Sequence, residues 1–335
     1  MRAAIIEAIG NLKVRDIPVP KVGKGEVLVR VRASGLCGTD VHILHGSFIA
    51  QYPVVPGHEF AGEVVEAGSD VDLFAPGDRV VVDPNIYCGM CPACKSNQQN
   101  QCYDLTAYGV TEPGGFEEYA VIKQQNLVKL SDNLSFEEAA FAEPLSCVIH
   151  GVNRTDLSVG DRAVIFGAGP IGLLMAQVFR VAGASLVAVV DISRRRLEIA
   201  EQLGVDYPVL GGDGLQRRLS GIAPNGFEVA VDCTGVSDVV ASLFDYTGRG
   251  GKVLLFGVCP PDARIPISPY QIYLRDIKVI GSFSLCNTLL TAVRLMETGS
   301  VKVVPLLSHR LSIEEMDGAL DLIGKDNTMK IQVQF

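Results

Sequence analysis

The stretch VIFGAGPIGLLMAQVFRVAGA, with glycines at 167, 169 and 172, constrains the fold of this 335-residue chain more than any other segment. G-x-G-x-x-G alone is a weak signal. Here it follows an apolar strand pattern over Arg162 to Phe166 and opens a helical run, and a second apolar run, LVAVVD, ends at Asp191, nineteen residues past Gly172. A dinucleotide-binding turn needs this context: a tight turn, close approach of backbone to pyrophosphate, a helix N-terminus facing it, and a carboxylate for the ribose diol of the adenosine. Gly167, Gly169, Pro170, Ile171 and Gly172 would form that turn. The strand-like runs FEVAVDC (227–233), KVLLFGV (252–258) and IKVIGSF (277–283) continue the alternation with helix-like segments between them. An α/β domain with a doubly wound, six-stranded parallel sheet of the Rossmann type is expected.

Cofactor choice turns on two opposed features. Asp191 can accept hydrogen bonds from both ribose hydroxyls of NAD and repels a 2′-phosphate, whereas Arg194, Arg195 and Arg196 could bind that phosphate. The carboxylate occupies the place the 2′ oxygen needs, and the arginines open a helix whose ordinary reading is a solvated face. NAD is expected.

Cysteines form the second strong pattern. CGMCPACKSNQQNQC places Cys88, Cys91, Cys94 and Cys102 at C-x2-C-x2-C-x7-C spacing, which brings four thiolates within reach of one tetrahedral ion. Gly89, Pro92 and Ala93 allow the tight loop. Nine cysteines without a secretion signal argue for thiols or metal ligands rather than a disulfide framework. A redox C-x-x-C lacks its strand and helix context here. A closed structural zinc is expected, so chemistry must lie elsewhere.

LCGTDVHILHG supplies Cys37, Thr39 and His42; PGHEFAGEVVEAGSDV supplies His58 and Glu59. Either ligand type alone is more often a core residue. Cys37, His58 and a carboxylate together make three protein ligands with one position open, the arrangement of a catalytic zinc. Two zincs per chain with different tasks are expected.

Composition excludes other classes. The chain is 48% apolar and 20% charged, ordinary for globular domains. Its net charge of −9 carries no basic block beyond Arg194–Arg196, so neither nucleic acid nor an anionic membrane is an expected partner. Met1 runs into the strand-like RAAIIEA, and the most apolar window, 163–179, contains three glycines and a proline; neither a signal peptide nor a membrane span is read. A zinc-ribbon binding module would explain the four-cysteine lobe and leave Cys37, His58 and the glycine turn unexplained.

These motifs resemble the zinc-containing medium-chain alcohol and polyol dehydrogenases over essentially the whole chain. The G-H-E-x-x-G-x5-G-x2-V signature is met from Gly57 to Val71. The resemblance implies a GroES-like β-barrel catalytic domain over residues 1–146 and 287–335 and an NAD-binding domain over 147–286, with MKIQVQF as a closing strand. It implies a cytoplasmic homo-oligomer, a tetramer, acting on a small secondary alcohol. AFAEPLSCVIHG offers Glu143 where animal alcohol dehydrogenases carry a second zinc cysteine, which resembles the sorbitol, xylitol and threonine branch. Glu59, Glu143 or water completes the catalytic shell; a helix-start carboxylate is the plain reading of Glu143. Thr39 and His42 match the hydroxyl and imidazole of the proton relay, Phe256, Gly257, Val258, Ser282, Phe283 and Ser284 match the nicotinamide loops, and Arg196 matches the residue beside the adenosine. Ser284, Leu285 and Ile43 stand where sorbitol dehydrogenase carries Arg, Tyr and Tyr, so a polyol other than sorbitol is expected. L-threonine or a vicinal diol such as 2,3-butanediol is the alternative.

Overall fold

Alternating valines make Glu26–Gly35 a ten-residue strand: Val27, Val29 and Val31 enter a core with Phe60, Val64, Val80, Val82 and Ile122. Its partners fork. Residues 26–30 pair antiparallel with Tyr119–Lys123 and residues 33–35 with Lys330–Gln334, while Glu59–Ala67 runs antiparallel along the strand and pairs in turn with Arg79–Val82. Leu127–Lys129 and Leu307–Leu311 complete this seven-stranded sheet. A second cluster, including Ala3, Leu36, Phe116, Met316 and Val333, binds the N- and C-terminal segments to it.

The computed structural model describes residues 1–325 and 327–335. They divide into two compact units: Met1–Ser146, Leu285–Gly299 and Leu306–Phe335 in the first, Cys147–Ser284 and Ser300–Pro305 in the second.

The second unit is built on six parallel strands in the order Tyr207–Leu210, Leu186–Asp191, Arg162–Phe166, Phe227–Asp232, Thr247–Leu255, Lys278–Gly281. Numbered along the unit this is 3-2-1-4-5-6, the doubly wound dinucleotide-binding order. Two boundaries differ from the apolar runs. Thr247–Leu255 begins before Lys252 and stops at Leu255, and the last strand stops at Gly281, so Phe256–Val258 and Ser282–Ser284 are loops at strand C-termini. Tyr207–Leu210 carries no apolar alternation and contains Pro208, which the sheet tolerates because this strand is an edge. Among the described residues no helix is long and apolar enough to cross a membrane.

Candidate active site and metal centres

Cys37 caps the short helix Gly38–Leu44, where its backbone N–H donates to Asp40 Oδ2 at 2.8 Å. Asp40 is fully buried. Its Oδ1 accepts the Gly57 N–H at 3.3 Å and lies 3.5 Å from His58 Nδ1. One carboxylate thus fixes the backbone at Cys37 and beside His58 and stands next to the imidazole, whose buried Nδ1 has no hydrogen-bond partner among the described residues. Glu59 begins the strand Glu59–Ala67 opposite Gly35, and a Cβ at Gly35 would overlap the Glu59 carboxylate.

Sequence reasoning missed the group that holds Glu59. Lys330 Nζ, buried, donates to Glu59 Oε1 at 2.8 Å, to Oε2 at 2.7 Å and to Leu36 O at 3.1 Å. Burial opposes the ammonium, yet Glu59, Cys37 and Glu143 more than compensate and raise the Lys330 pKa. It therefore stays charged at any ordinary pH.

The ligand atoms of Cys37, His58 and Glu59 all lie within 4.8 Å of one another. Glu143, buried on the first turn of the helix Ala142–Arg154, contributes its charge near Lys330. Burial disfavours a charged His58, but Asp40 and Cys37 outweigh it and hold its pKa well above the usual value. A pocket that retains a proton against desolvation this way carries the negative potential a divalent cation neutralises. Thiolate, imidazole and carboxylate converge there, and the donor set fits zinc. Thr39 Oγ1 lies 3.7 Å from Cys37 Sγ. His42 is exposed at the end of the same helix, with Nδ1 3.0 Å from Ser47 Oγ.

The four-cysteine lobe is assembled by a short helix, Pro92–Lys95, and a 3-10 turn, Gln99–Gln101, above a two-stranded ribbon of Asn85–Ile86 against Thr106–Ala107. Cys88, Cys91, Cys94 and Cys102 are free thiols whose sulfurs cluster within 4.8 Å. Cys88 and Cys102 sulfurs are 3.5 Å apart, Cys91 and Cys102 sulfurs 3.9 Å. Zinc–sulfur bonds of about 2.3 Å in a tetrahedron require sulfur–sulfur edges of about 3.8 Å, so the lobe fits zinc without rearrangement. Backbone N–H groups of Cys94 and Tyr103 stabilise the Cys91 thiolate and lower its pKa to about 6.

In the second unit the strand Arg162–Phe166 turns through Gly167, at φ 104°, into the helix Pro170–Val181 capped by Gly169. A Cβ at Gly172 would strike the Gly167 carbonyl, whereas the Gly169 position opens on empty space. Asp191 ends the neighbouring strand; its Oδ2 accepts Ala168 N–H at 2.6 Å and its Oδ1 accepts Ser193 N–H at 2.8 Å. The carboxylate read as a ribose ligand therefore also ties down the glycine turn, a second role that spacing alone did not indicate. Arg196 lies in the first turn of the helix Arg194–Gln202, which Ser193 caps. Asp232, fully buried, accepts from Thr234 N–H at 2.9 Å, Thr234 Oγ1 at 2.6 Å and Gly235 N–H at 3.1 Å. A Cβ at Gly257 would meet that carboxylate. Phe256 packs against Gly151, and Ser284 is left-handed at φ 56°. Glycine turn, helix N-terminus and Asp191 fit a dinucleotide.

Two family models match this chain: an alcohol dehydrogenase GroES-like domain over residues 23–132 and a zinc-binding dehydrogenase domain over 170–298. D-altritol 5-dehydrogenase of Agrobacterium fabrum is 40% identical over 92% of this chain and 91% of its own length. D-arabinitol dehydrogenase 1 of Uromyces fabae is 34% identical over 100% and 97%. Among solved structures, a zinc-binding dehydrogenase of Sinorhizobium meliloti bound to NADP superposes with TM-score 0.96 at 35% identity, covering 100% of this chain and 99% of that one. The chain belongs to the zinc-containing medium-chain alcohol and polyol dehydrogenases. It is an oxidoreductase with a GroES-like domain and a Rossmann sheet.

Proposed function

We propose that this protein oxidises a secondary hydroxyl of a polyol or sugar alcohol to the ketose, releasing one proton and one NADH per turnover. The convergence of Cys37, His58 and Glu59 beside Lys330 carries this reading. Zinc in that pocket supplies the Lewis acid that makes a hydroxyl acidic, and NAD supplies the hydride acceptor. Cys37, His58 and Glu59, with Glu143 close to Lys330, hold the metal; Asp40 stands next to the imidazole. The Thr39 hydroxyl beside Cys37 takes the substrate proton, and exposed His42, steadied by Ser47, delivers it to water. Gly167, Gly169, Pro170, Ile171, Gly172, Asp191 and Arg196 hold the adenosine and pyrophosphate of NAD. Phe256, Gly257, Val258, Ser282, Phe283 and Ser284 hold the nicotinamide end. Cys88, Cys91, Cys94 and Cys102 carry the structural zinc.

Relatives acting on D-altritol and D-arabinitol support a polyol. Ile43 packs in the core with Ile6 and Val54, and Leu285 is also buried, so neither offers a polar contact to a long substrate. The family resemblance supports a cytoplasmic homotetramer. The deciding experiment compares kcat/KM for NAD reduction with D-altritol, D-arabinitol, xylitol, sorbitol, 2,3-butanediol and L-threonine. A polyol is expected to lead. Threonine or butanediol leading by tenfold or more refutes the polyol reading, about 1.4 kcal/mol of transition-state preference.

A further inference from the structure

Glu117 lies just before the strand Tyr119–Lys123 and is 3% exposed. Among the described residues its carboxyl has neither a hydrogen-bond nor an ion-pair partner, in contrast with Glu118, which accepts from Arg2 N–H at 2.8 Å. Buried carboxylates are normally paired, because an unpaired one costs several kcal/mol of lost solvation. Glu117 instead lines a cavity of about 390 Å³ in the first unit, far more than one water needs. Apolar side chains form the walls: Ile17, Pro18, Val55, Ile86 and Val121. Polar groups at the lining are mostly acceptors. Glu26 and Glu112 bring further carboxylates and Tyr108 a phenol, whose oxygen accepts Lys123 N–H at 3.1 Å. The Met1 ammonium also lines the cavity but is committed to Ile17 O at 2.8 Å, and the Lys123 side chain is exposed at the rim. None of the residues placed in the catalytic pocket and none of the four lobe cysteines lines it; Ile86 and Thr106, of the ribbon under the cysteine lobe, do.

An apolar chamber with an unpartnered acid at its wall, and with Glu112 and Glu26 elsewhere in its lining, the latter's carboxylate also accepting Gly23 N–H at 3.0 Å, selects one chemistry. We propose that this cavity is a binding site for an organic ammonium ion with a short apolar stem, whose charged end pairs with Glu117. Burial raises the Glu117 pKa to about 8, so at neutral pH the free site holds a protonated acid. Binding exchanges that proton: Glu117–COOH and R–NH3+ give the carboxylate–ammonium pair and one H+ in solution. Affinity rises with pH toward about 8 and levels off there. Glu26, Glu112 and Tyr108 face the same space and reinforce a cation, while Lys123 at the rim opposes it.

Calorimetric titration of the zinc-loaded, NAD-bound enzyme with n-butylammonium chloride tests this, with n-butanol and sodium butyrate as neutral and anionic controls. At pH 6.5, runs in buffers of different ionisation enthalpy should report release of about one proton per ligand bound. Glu117→Gln should weaken binding about tenfold or more and abolish the proton release while leaving polyol oxidation unchanged. Absence of butylammonium binding at pH 8, or butanol binding as tightly, overturns the proposal. So does binding seen only in Lys123→Met, which makes Lys123 the native partner. A changed oligomer mass in Glu117→Gln, placing a second copy over the cavity, also overturns it.

Discussion

Lys330 and Glu59 are needed for different reasons: the carboxylate faces the metal pocket, and the ammonium keeps it from being a lone buried charge. Removing one partner of a buried pair typically costs about 3–5 kcal/mol, more than the pair itself contributes relative to apolar replacements. Lys330→Met should therefore lower the unfolding free energy by that amount, moving the urea midpoint down, and lose zinc from the catalytic site, and Glu59→Gln added to it should recover most of the stability without the activity. An unchanged midpoint in Lys330→Met would mean that Glu59 finds another partner. Asp191 has a similar double duty. Asp191→Ser removes the repulsion of a 2′-phosphate beside Arg194–Arg196, shifting preference toward NADP by about one to two orders of magnitude, equal to roughly 1.4–2.8 kcal/mol. It also frees the Ala168 N–H, so KM for NAD should rise as well. Steady-state kinetics with both cofactors separate the effects; no shift toward NADP means that the arginines do not reach the phosphate. Cys37, His58 and Glu59 were readable as residue types because ligand chemistry is local. Lys330 was not, because it lies 271 residues from Glu59, and a lysine on a terminal strand carries no mark of its burial.

Elements show the same division between local and distant causes. Strands Arg162–Phe166 and Leu186–Asp191 stand where their apolar runs begin and end, since both are central and buried on both faces. The edge strand Tyr207–Leu210 escaped, because an edge needs only one row of ladder bonds and can include Pro208. Asp40 also escaped, although the three-residue step from Cys37 is the spacing of a capping box; a cysteine at the cap hides it. The cysteine lobe has only a four-residue helix, a single 3-10 turn and two-residue strands, too little to bury a core. Its stability must come from metal coordination. Cys91→Ser should reduce zinc from two to one per chain and lower the thermal midpoint, while a chelator strong enough to strip both metals should leave the parent no more stable than the variant. Elemental analysis and calorimetry check both; full zinc content in Cys91→Ser removes the lobe's assignment.

At the scale of the whole molecule, a net charge of −9 says nothing about which carboxylate is unstable in its place. Burial decides that. Glu117 ionises near the ordinary value of 4.5 in the unfolded chain but only near about 8 when folded, because desolvation disfavours its charged form. The folded state thus binds more protons than the unfolded state between these values. Stability falls as pH rises through that window, reaches its full loss above about 8, and is unaffected below about 4.5. A displacement of this size corresponds to a loss on the order of 5 kcal/mol. Other groups also contribute, among them His58, whose pKa lies well above the usual value, and zinc binding itself tightens as its ligands lose protons. Their contributions cancel when two proteins differing only at Glu117 are compared. Glu117→Gln keeps the shape and removes the charge, so its unfolding free energy should match the parent near pH 4 and exceed it progressively up to pH 8.5. Urea unfolding of both proteins across that range makes the comparison; parallel profiles would mean that the Glu117 carboxylate is solvated or paired in solution.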